Sequence, residues 1–234
     1  MNILAIGGGG FVPTERYGAK PGPLIEHALS LTGKEAAKVC ALYTATGDDV
    51  ARIANWYAAW NDRPEQASHV AVLPMPNVDD LRKHLLAQDA VYVGGGSVAG
   101  LAVLWRLHGL DTIFREAWEA GVVLFGVSAG SLCWHSGGTT DSFGPELRPW
   151  TDGLGLIPGS NCPHYDSEAR RRPLYQRLVA QGALAPGYAA DDDVGLHYVG
   201  TELHEAVSAR DGASAYRVDR DGETKVDTRL LAVP

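Results

Sequence analysis

The stretch Gly126-Val127-Ser128-Ala129-Gly130 follows directly on the apolar run Val122-Val123-Leu124-Phe125 and leads into Ser131-Leu132. A buried strand that enters Gly-x-Ser-x-Gly and continues into helix-forming residues describes a nucleophile elbow, in which a tight turn projects a serine hydroxyl from the end of a sheet. Such a turn needs strained dihedrals, and flanking glycines leave room for the chain to bend and for a substrate to approach. The helix that follows sets its free N–H groups and partial positive charge beside the hydroxyl. Ser128 is therefore the candidate nucleophile.

A serine hydroxyl needs a base and an oxyanion site. Among the histidines, His27, His69, His84 and His108 fall in expected helices or at strand edges and read as surface or packing residues. His135 lies two helical turns past Ser128 and would follow the elbow helix away from it. His164 stands in Gly159-Ser160-Asn161-Cys162-Pro163-His164-Tyr165-Asp166, where a proline-fixed extended approach can bring an imidazole over a strand end. Two glycine runs follow expected strands, Gly7 to Gly10 and Gly94 to Gly96, and neither forms a convincing dinucleotide fingerprint. The second run suits an oxyanion hole: one donor from the Gly95 or Gly96 amide, the other from Ala129, the residue after the nucleophile.

Short apolar runs alternate with longer amphipathic stretches, which predicts βαβ units and a mainly parallel sheet. Strands are expected at residues 2–6, 39–43, 70–73, 90–93 and 122–127, and helices at 23–31, 50–60, 78–86, 98–107 and 112–120. Pro23 suits a first helical turn and Ser97 a helix cap. From His135 to Cys162 the chain is rich in glycine, proline and polar residues, and is expected to drape over the active site as a long irregular segment. A helix over 173–181 and strands near 187–190, 206–208 and 216–218 should follow, with Asp221-Gly222 as a hairpin turn before the last strand. No repeat or linker interrupts the 234 residues, so one domain over 1–234 is expected.

Composition, 45 % hydrophobic and 21 % charged, supports a real core. A formal net charge of −8 without a basic run argues against nucleic acid or an anionic membrane surface as partner, since either needs a basic stripe. The N-terminal apolar segment reads as a first strand rather than a targeting signal, and nothing approaches membrane-spanning length. Three widely spaced cysteines suggest neither disulfides nor a Cys-x-x-Cys metal site, and fit a reducing cytoplasm.

In Tyr92-Val93-Gly94-Gly95-Gly96, the elbow from Gly126 to Ser131, Thr140-Asp141-Ser142-Phe143-Gly144 and Pro158 to Asp166, the chain resembles the peptidase E family of serine peptidases, which includes aspartyl dipeptidases. The blocks stand in the family's order. The resemblance implies a three-layer α/β/α fold like class I glutamine amidotransferases, flavodoxin-like, with serine where those enzymes carry cysteine. It implies Ser128 as nucleophile and His164 as base. For the acid that holds the imidazole, Asp192 in Asp191-Asp192-Asp193 matches a late strand end and is preferred, with Asp141 as the alternative in the loop beyond the elbow. Ser97 stands where aspartyl dipeptidases carry asparagine, which bears on substrate preference. Arg170 and Arg171 are candidate cations for a substrate carboxylate, in a cluster that also reads as a helix entry. The expected activity is hydrolysis of small peptides, dipeptides with an N-terminal aspartyl residue in particular, by a monomer or homodimer without metal or organic cofactor. An esterase or amidase with the same triad, or a catalytically silent binding domain, are the alternatives.

Overall fold

The computed structural model describes residues 1–15 and 18–232. Its central sheet has eight strands, in the order Thr228–Leu230, Glu202–Ser208, Val194–Val199, Asn2–Ile6, Val123–Val127, Ala90–Val93, Lys38–Leu42 and Gln66–Val70. The five from Asn2–Ile6 to Gln66–Val70 are parallel, while Val194–Val199 runs antiparallel to Asn2–Ile6 and extends the sheet with an antiparallel wing. This is an α/β fold with a mixed, mostly parallel sheet.

Alternation along these strands divides the core between two faces. Leu4, Ile6, Val39, Ala41, Tyr92 and Phe125 face helices Pro23–Ser30 and Val50–Ala59. Ile3, Cys40, Leu42, Val91, Val93 and Leu124 face helices Val98–Leu107 and Leu110–Glu119. Each fully buried aliphatic or aromatic side chain contributes about 1.5–3 kcal/mol, so both helical layers are held mainly by this burial. Local signals agree with it: Pro23 opens its helix, the Asp49 carboxylate accepts from the Arg52 N–H (2.8 Å), and Ser97 Oγ accepts from the Gly100 N–H (3.0 Å).

The segment from His135 to Cys162 departs from expectation. It forms strands His135–Thr140, Arg148–Trp150 and Ile157–Cys162, which join a second sheet in the order Gly222–Val226, Ala215–Asp219, Gly187–Ala190, Ile157–Cys162, His135–Thr140 and Arg148–Trp150. Helix Arg171–Ala180 packs on it through Tyr175, Leu178 and Val179. The elbow helix is a single turn, Ala129–Leu132, so His135 begins a strand instead of extending that helix. Further boundaries shift: the strand expected at 70–73 is Gln66–Val70, the helix at 78–86 is Leu81–Leu86, the strand near 206–208 is Glu202–Ser208, the helices at 112–120 and 173–181 are Leu110–Glu119 and Arg171–Ala180, and the hairpin loop is Arg220-Asp221. Strand Val194–Val199 and the small ladder of Phe11–Pro13 with Ala19–Pro21 were not expected.

Candidate active site

Three adjacent parallel strands end together at Ile6, Val127 and Val93, so the loops after them converge at the carboxyl edge of the sheet, where open α/β folds bind ligands. The middle loop is the elbow. Ser128 adopts φ 57° and ψ −114°, a sparsely populated conformation for a non-glycine residue, and its N–H is tied to the Ile6 carbonyl (3.0 Å). Both flanking glycines are required by close approach. A Cβ on Gly130 would lie 2.0 Å from the Val93 carbonyl oxygen, and one on Gly126 would lie 2.5 Å from that of Gly130. The serine is thus wedged against the neighbouring strand end with its side chain outward.

The second sheet delivers the histidine and the acid. Strands Ile157–Cys162 and Gly187–Ala190 are parallel with Cys162 opposite Ala189, so the residues just beyond each strand end come side by side. His164 (φ 56°) donates from Nδ1 to Asp192 Oδ1 at 2.7 Å, which leaves Nε2 as the proton acceptor. Their side chains are 21 % and 32 % exposed, enough to meet a substrate. The acidic turn is pinned on all sides: the Asp192 N–H donates to Asp166 Oδ1 (2.8 Å), Arg210 donates to the Asp192 carbonyl (3.0 Å), and Asp191 Oδ2 accepts from the Ser214 N–H (3.0 Å). The first glycine run docks here as well. The Asp193 N–H donates to the Gly8 carbonyl, and a Cβ on Gly8 would fall 1.9 Å from Asp192 Oδ1 and 3.0 Å from His164 Nδ1.

Ser128 and His164 line one cavity of about 440 Å³. Among the described residues they share no direct hydrogen bond, an arrangement common in unliganded sites where the contact tightens on substrate binding. Gly95 lies against the serine, its Cβ position 3.1 Å from Ser128 Cβ, and no backbone acceptor engages the Gly95 or Gly96 N–H among the described residues. Ala129 opens the one-turn helix, so its N–H has no intrahelical acceptor. Two donors of the oxyanion-hole type therefore flank the hydroxyl.

The cavity wall is aromatic. Trp56 stacks on Tyr92 (5.4 Å between ring centroids), and Phe11 meets both rings edge-on. Burial pushes the Tyr43 and Tyr92 hydroxyls far up, and the nearby Arg52 guanidinium opposes that shift in both. Arg52 and Asn55 complete the polar lining, and the Arg52 guanidinium has no carboxylate partner among the described residues. None of these lining residues was expected from sequence; only the Gly-rich run before Phe11 and the helix carrying Arg52 and Trp56 gave a signal.

Three sequence candidates lie elsewhere. Asp141 is exposed, its carboxylate is unpartnered among the described residues, and its loop reaches helix Val98–Leu107 through the Ala99 N–H to Ser142 Oγ contact (3.4 Å). Arg171 is 3 % exposed and bonds Glu168 Oε2 (2.7 Å) and the Thr139 carbonyl (3.0 Å), while Arg170 donates to the Pro145 carbonyl (2.8 Å). Neither arginine lines the Ser128 cavity, because helix Arg171–Ala180 turns that cluster toward the second sheet.

Known proteins resemble the chain at the level of both sequence and fold. The uncharacterized peptidase YgaJ of Bacillus subtilis (strain 168) is 42 % identical over 218 residues, 92 % of this chain and 91 % of that protein. A crystal structure of a peptidase from an acI-B1 Actinobacterium superposes with a TM-score of 0.70 at 18 % identity, covering 97 % of this chain and 94 % of the other. A candidate peptidase E protein from Listeria monocytogenes EGD-e gives a TM-score of 0.60 at 16 % identity, over 86 % and 96 % of the two chains. These two establish likeness of fold. The family model of peptidase family S51 matches residues 3–206, a span that takes in the elbow, the His164 turn and the acidic turn. The chain accordingly belongs to peptidase family S51, the peptidase E family, and is a serine peptidase.

Proposed function

We propose that this serine peptidase cleaves small peptides, and dipeptides with an N-terminal aspartyl residue in particular, through a Ser128-His164-Asp192 triad. The observation that carries the reading is the 2.7 Å His164–Asp192 hydrogen bond at the rim of a cavity that is also lined by Ser128 and by Arg52, an arginine without a carboxylate partner among the described residues. His164 Nε2 takes the Ser128 proton as Oγ attacks the carbonyl carbon, and the carbonyl oxygen gathers charge against the Ala129 amide and one from Gly95 or Gly96. The proton then passes to the leaving amine as the C–N bond breaks. Water, deprotonated by the same imidazole, hydrolyses the acyl-serine. Arg52 supplies the cation for the aspartyl side chain, a role for which Arg170 and Arg171 stand in the wrong part of the molecule. The cytoplasm is its expected site of action.

The aromatic wall supports a second reading, an esterase or amidase accepting an apolar acyl group, and one experiment separates the two. Purified enzyme assayed on Asp-Leu, Glu-Leu, Leu-Leu, Phe-Leu and aryl esters is expected to favour Asp-Leu. Ser128→Ala should abolish turnover and labelling by a fluorophosphonate while changing stability by no more than about 1 kcal/mol. Arg52→Met should raise KM for Asp-Leu about 10–100-fold, the worth of one charge-assisted hydrogen bond. Equal activity of Arg52→Met on Asp-Leu, or preference for Phe-Leu or aryl esters, would favour the second reading.

A further inference from the structure

Three side chains gather on the antiparallel side of the central sheet, outside the Ser128 cavity: His197 on Val194–Val199, Glu205 opposite it in register on Glu202–Ser208, and His27 on helix Pro23–Ser30. Glu205 Oε1 lies 3.6 Å from His27 Nε2 and 3.7 Å from His197 Nδ1, and the three donor atoms all lie within 4.8 Å of one another. Both nitrogens are shielded from solvent and neither has a hydrogen-bond partner among the described residues, while His197 as a whole is only 4 % exposed. Buried imidazole nitrogens are rarely left in that state, because nothing replaces the water they lose.

The surroundings fix which atom faces inward. His197 Nε2 lies 3.1 Å from Asn2 Oδ1, an acceptor, so the ring proton sits on Nε2 and Nδ1 turns a lone pair toward Glu205. That is the support a metal-bound histidine normally receives from an outer carbonyl. A lone pair facing a carboxylate oxygen is a contact between two acceptors, which a cation between them converts into attraction. Arg229 holds the carboxylate in place, with Nε 2.9 Å from Oε2 and Nη2 3.0 Å from Oε1, the oxygen that also faces the two histidines.

We propose that His27, His197 and Glu205 form a divalent-metal site, selective for Zn²⁺, that ties the first helix to the antiparallel wing. Two imidazoles and one carboxylate suit Zn²⁺ better than Ca²⁺ or Mg²⁺, which take oxygen ligands. Bonds of 2.0–2.1 Å in a tetrahedron set donors about 3.3–3.4 Å apart, so the 3.6 and 3.7 Å to Glu205 need a few tenths of an ångström of closure and the two imidazole nitrogens, within 4.8 Å of each other, close by side-chain rotation, with water as fourth ligand. His197 pairs with Leu4 in the strand whose carboxyl end, Ile6, meets the elbow, and none of the three residues lines the Ser128 cavity. The metal is structural, and hydrolysis does not pass through it.

The test is titration of tag-free, chelator-stripped full-length protein with Zn²⁺ alone, by calorimetry and thermal shift. One equivalent should bind and raise Tm. His27→Gln and His197→Gln should each weaken binding at least about 100-fold, and Asn2→Ala about 10–100-fold, the usual effect of removing an outer partner. Peptide hydrolysis by stripped and Zn²⁺-loaded protein should be equal. Absence of stoichiometric binding by the wild type overturns the proposal, as does undiminished binding by His27→Gln, whose side chain is 12 % exposed against 5 % for His197 and so lets the variant fold even if His197→Gln does not. Loss of hydrolysis on stripping would overturn the separation of the two sites.

Discussion

The carboxylate behind His164 shows how much a single residue depends on its support. Asp192 is one of three consecutive aspartates, and the sequence offers no reason to choose among them beyond the resemblance. The turn makes the choice, since Asp191 is committed to the Ser214 N–H and Asp193 to Arg210, leaving Asp192 aimed at the imidazole. Asp166 stabilises that turn. Burial works to raise its carboxyl, but the Asp192 N–H and the Arg210 guanidinium outweigh burial and hold it below the usual carboxylate range. If Asp192 orients His164, Asp192→Asn should cut kcat by about 10³–10⁴, because the amide can offer an N–H to the ring and favour the wrong tautomer. Asp141→Asn, changing an exposed carboxylate without a partner among the described residues, should leave kcat nearly intact. Steady-state kinetics on both variants decides it, and a large kcat loss confined to Asp141→Asn would transfer the role to the loop beyond the elbow. The serine and histidine were legible because each sits in a distinctive local frame; the cavity wall was not, because Phe11, Arg52 and Tyr92 come from three distant segments.

At the level of elements, four of the five parallel strands were readable from their apolar runs, since runs with both faces buried are unmistakable at Val39 to Leu42 or Val91 to Val93, while the half-buried edge strand Gln66–Val70 was not. The second sheet was hidden by its glycines. His135-Ser-Gly-Gly-Thr-Thr140 reads as a loop, yet Gly137 and Gly138 are where backbones touch: Cβ atoms there would lie 2.2 Å from the Trp150 and 1.9 Å from the Asn161 carbonyl oxygens. The same strand buries His135 completely, its Nδ1 donating to the Ser131 carbonyl (3.0 Å) and its Nε2 accepting from the Tyr198 hydroxyl (3.1 Å). Burial lowers this imidazole to about 4, against the partial opposition of the Ser131 carbonyl. The unfolded chain binds a proton near pH 6.5 and the folded protein only near 4, so the unfolded state holds more protons throughout that window. Stability should be full above about pH 6.5 and fall by about 3 kcal/mol as pH drops toward 4. Urea unfolding at pH 7.5 and 4.5 measures the loss, and His135→Phe should flatten its pH dependence even if the variant is less stable at both values. An unchanged slope in that variant would assign the acid sensitivity to other groups.

Taken as a whole, the two main sheets meet at one cavity: the first contributes Ser128 and the Gly95 and Ala129 amides beside it, the second His164 with Asp192 behind it. Their junction explains why the first strand of the antiparallel wing was missed from sequence, since Val194–Val199 follows the acidic turn so closely that it reads as part of the same polar loop. It also sets the chemistry of the thiols. Cys40 lies in the middle of the parallel sheet, Cys133 just past the elbow helix and Cys162 at the strand end before His164; all three are free and buried. Burial pushes Cys40 and Cys162 up to about 12 and Cys133 well above its usual value, each against weaker hydrogen bonds that favour the thiolate. A thiol reacts as its thiolate, so at pH 8 all three should be almost entirely protonated and sterically shielded. Native protein treated with a disulfide reagent or iodoacetamide should therefore keep its hydrolytic activity and show no fast-reacting thiol, whereas the unfolded chain should titrate three. Cys162 is the discriminating case, two residues from the imidazole yet bonded inward to Thr139 Oγ1 at 3.0 Å. Rapid native modification at Cys162 with loss of activity would mean that the junction of the two sheets opens in solution, and the enclosed geometry of the His164 turn would have to be abandoned.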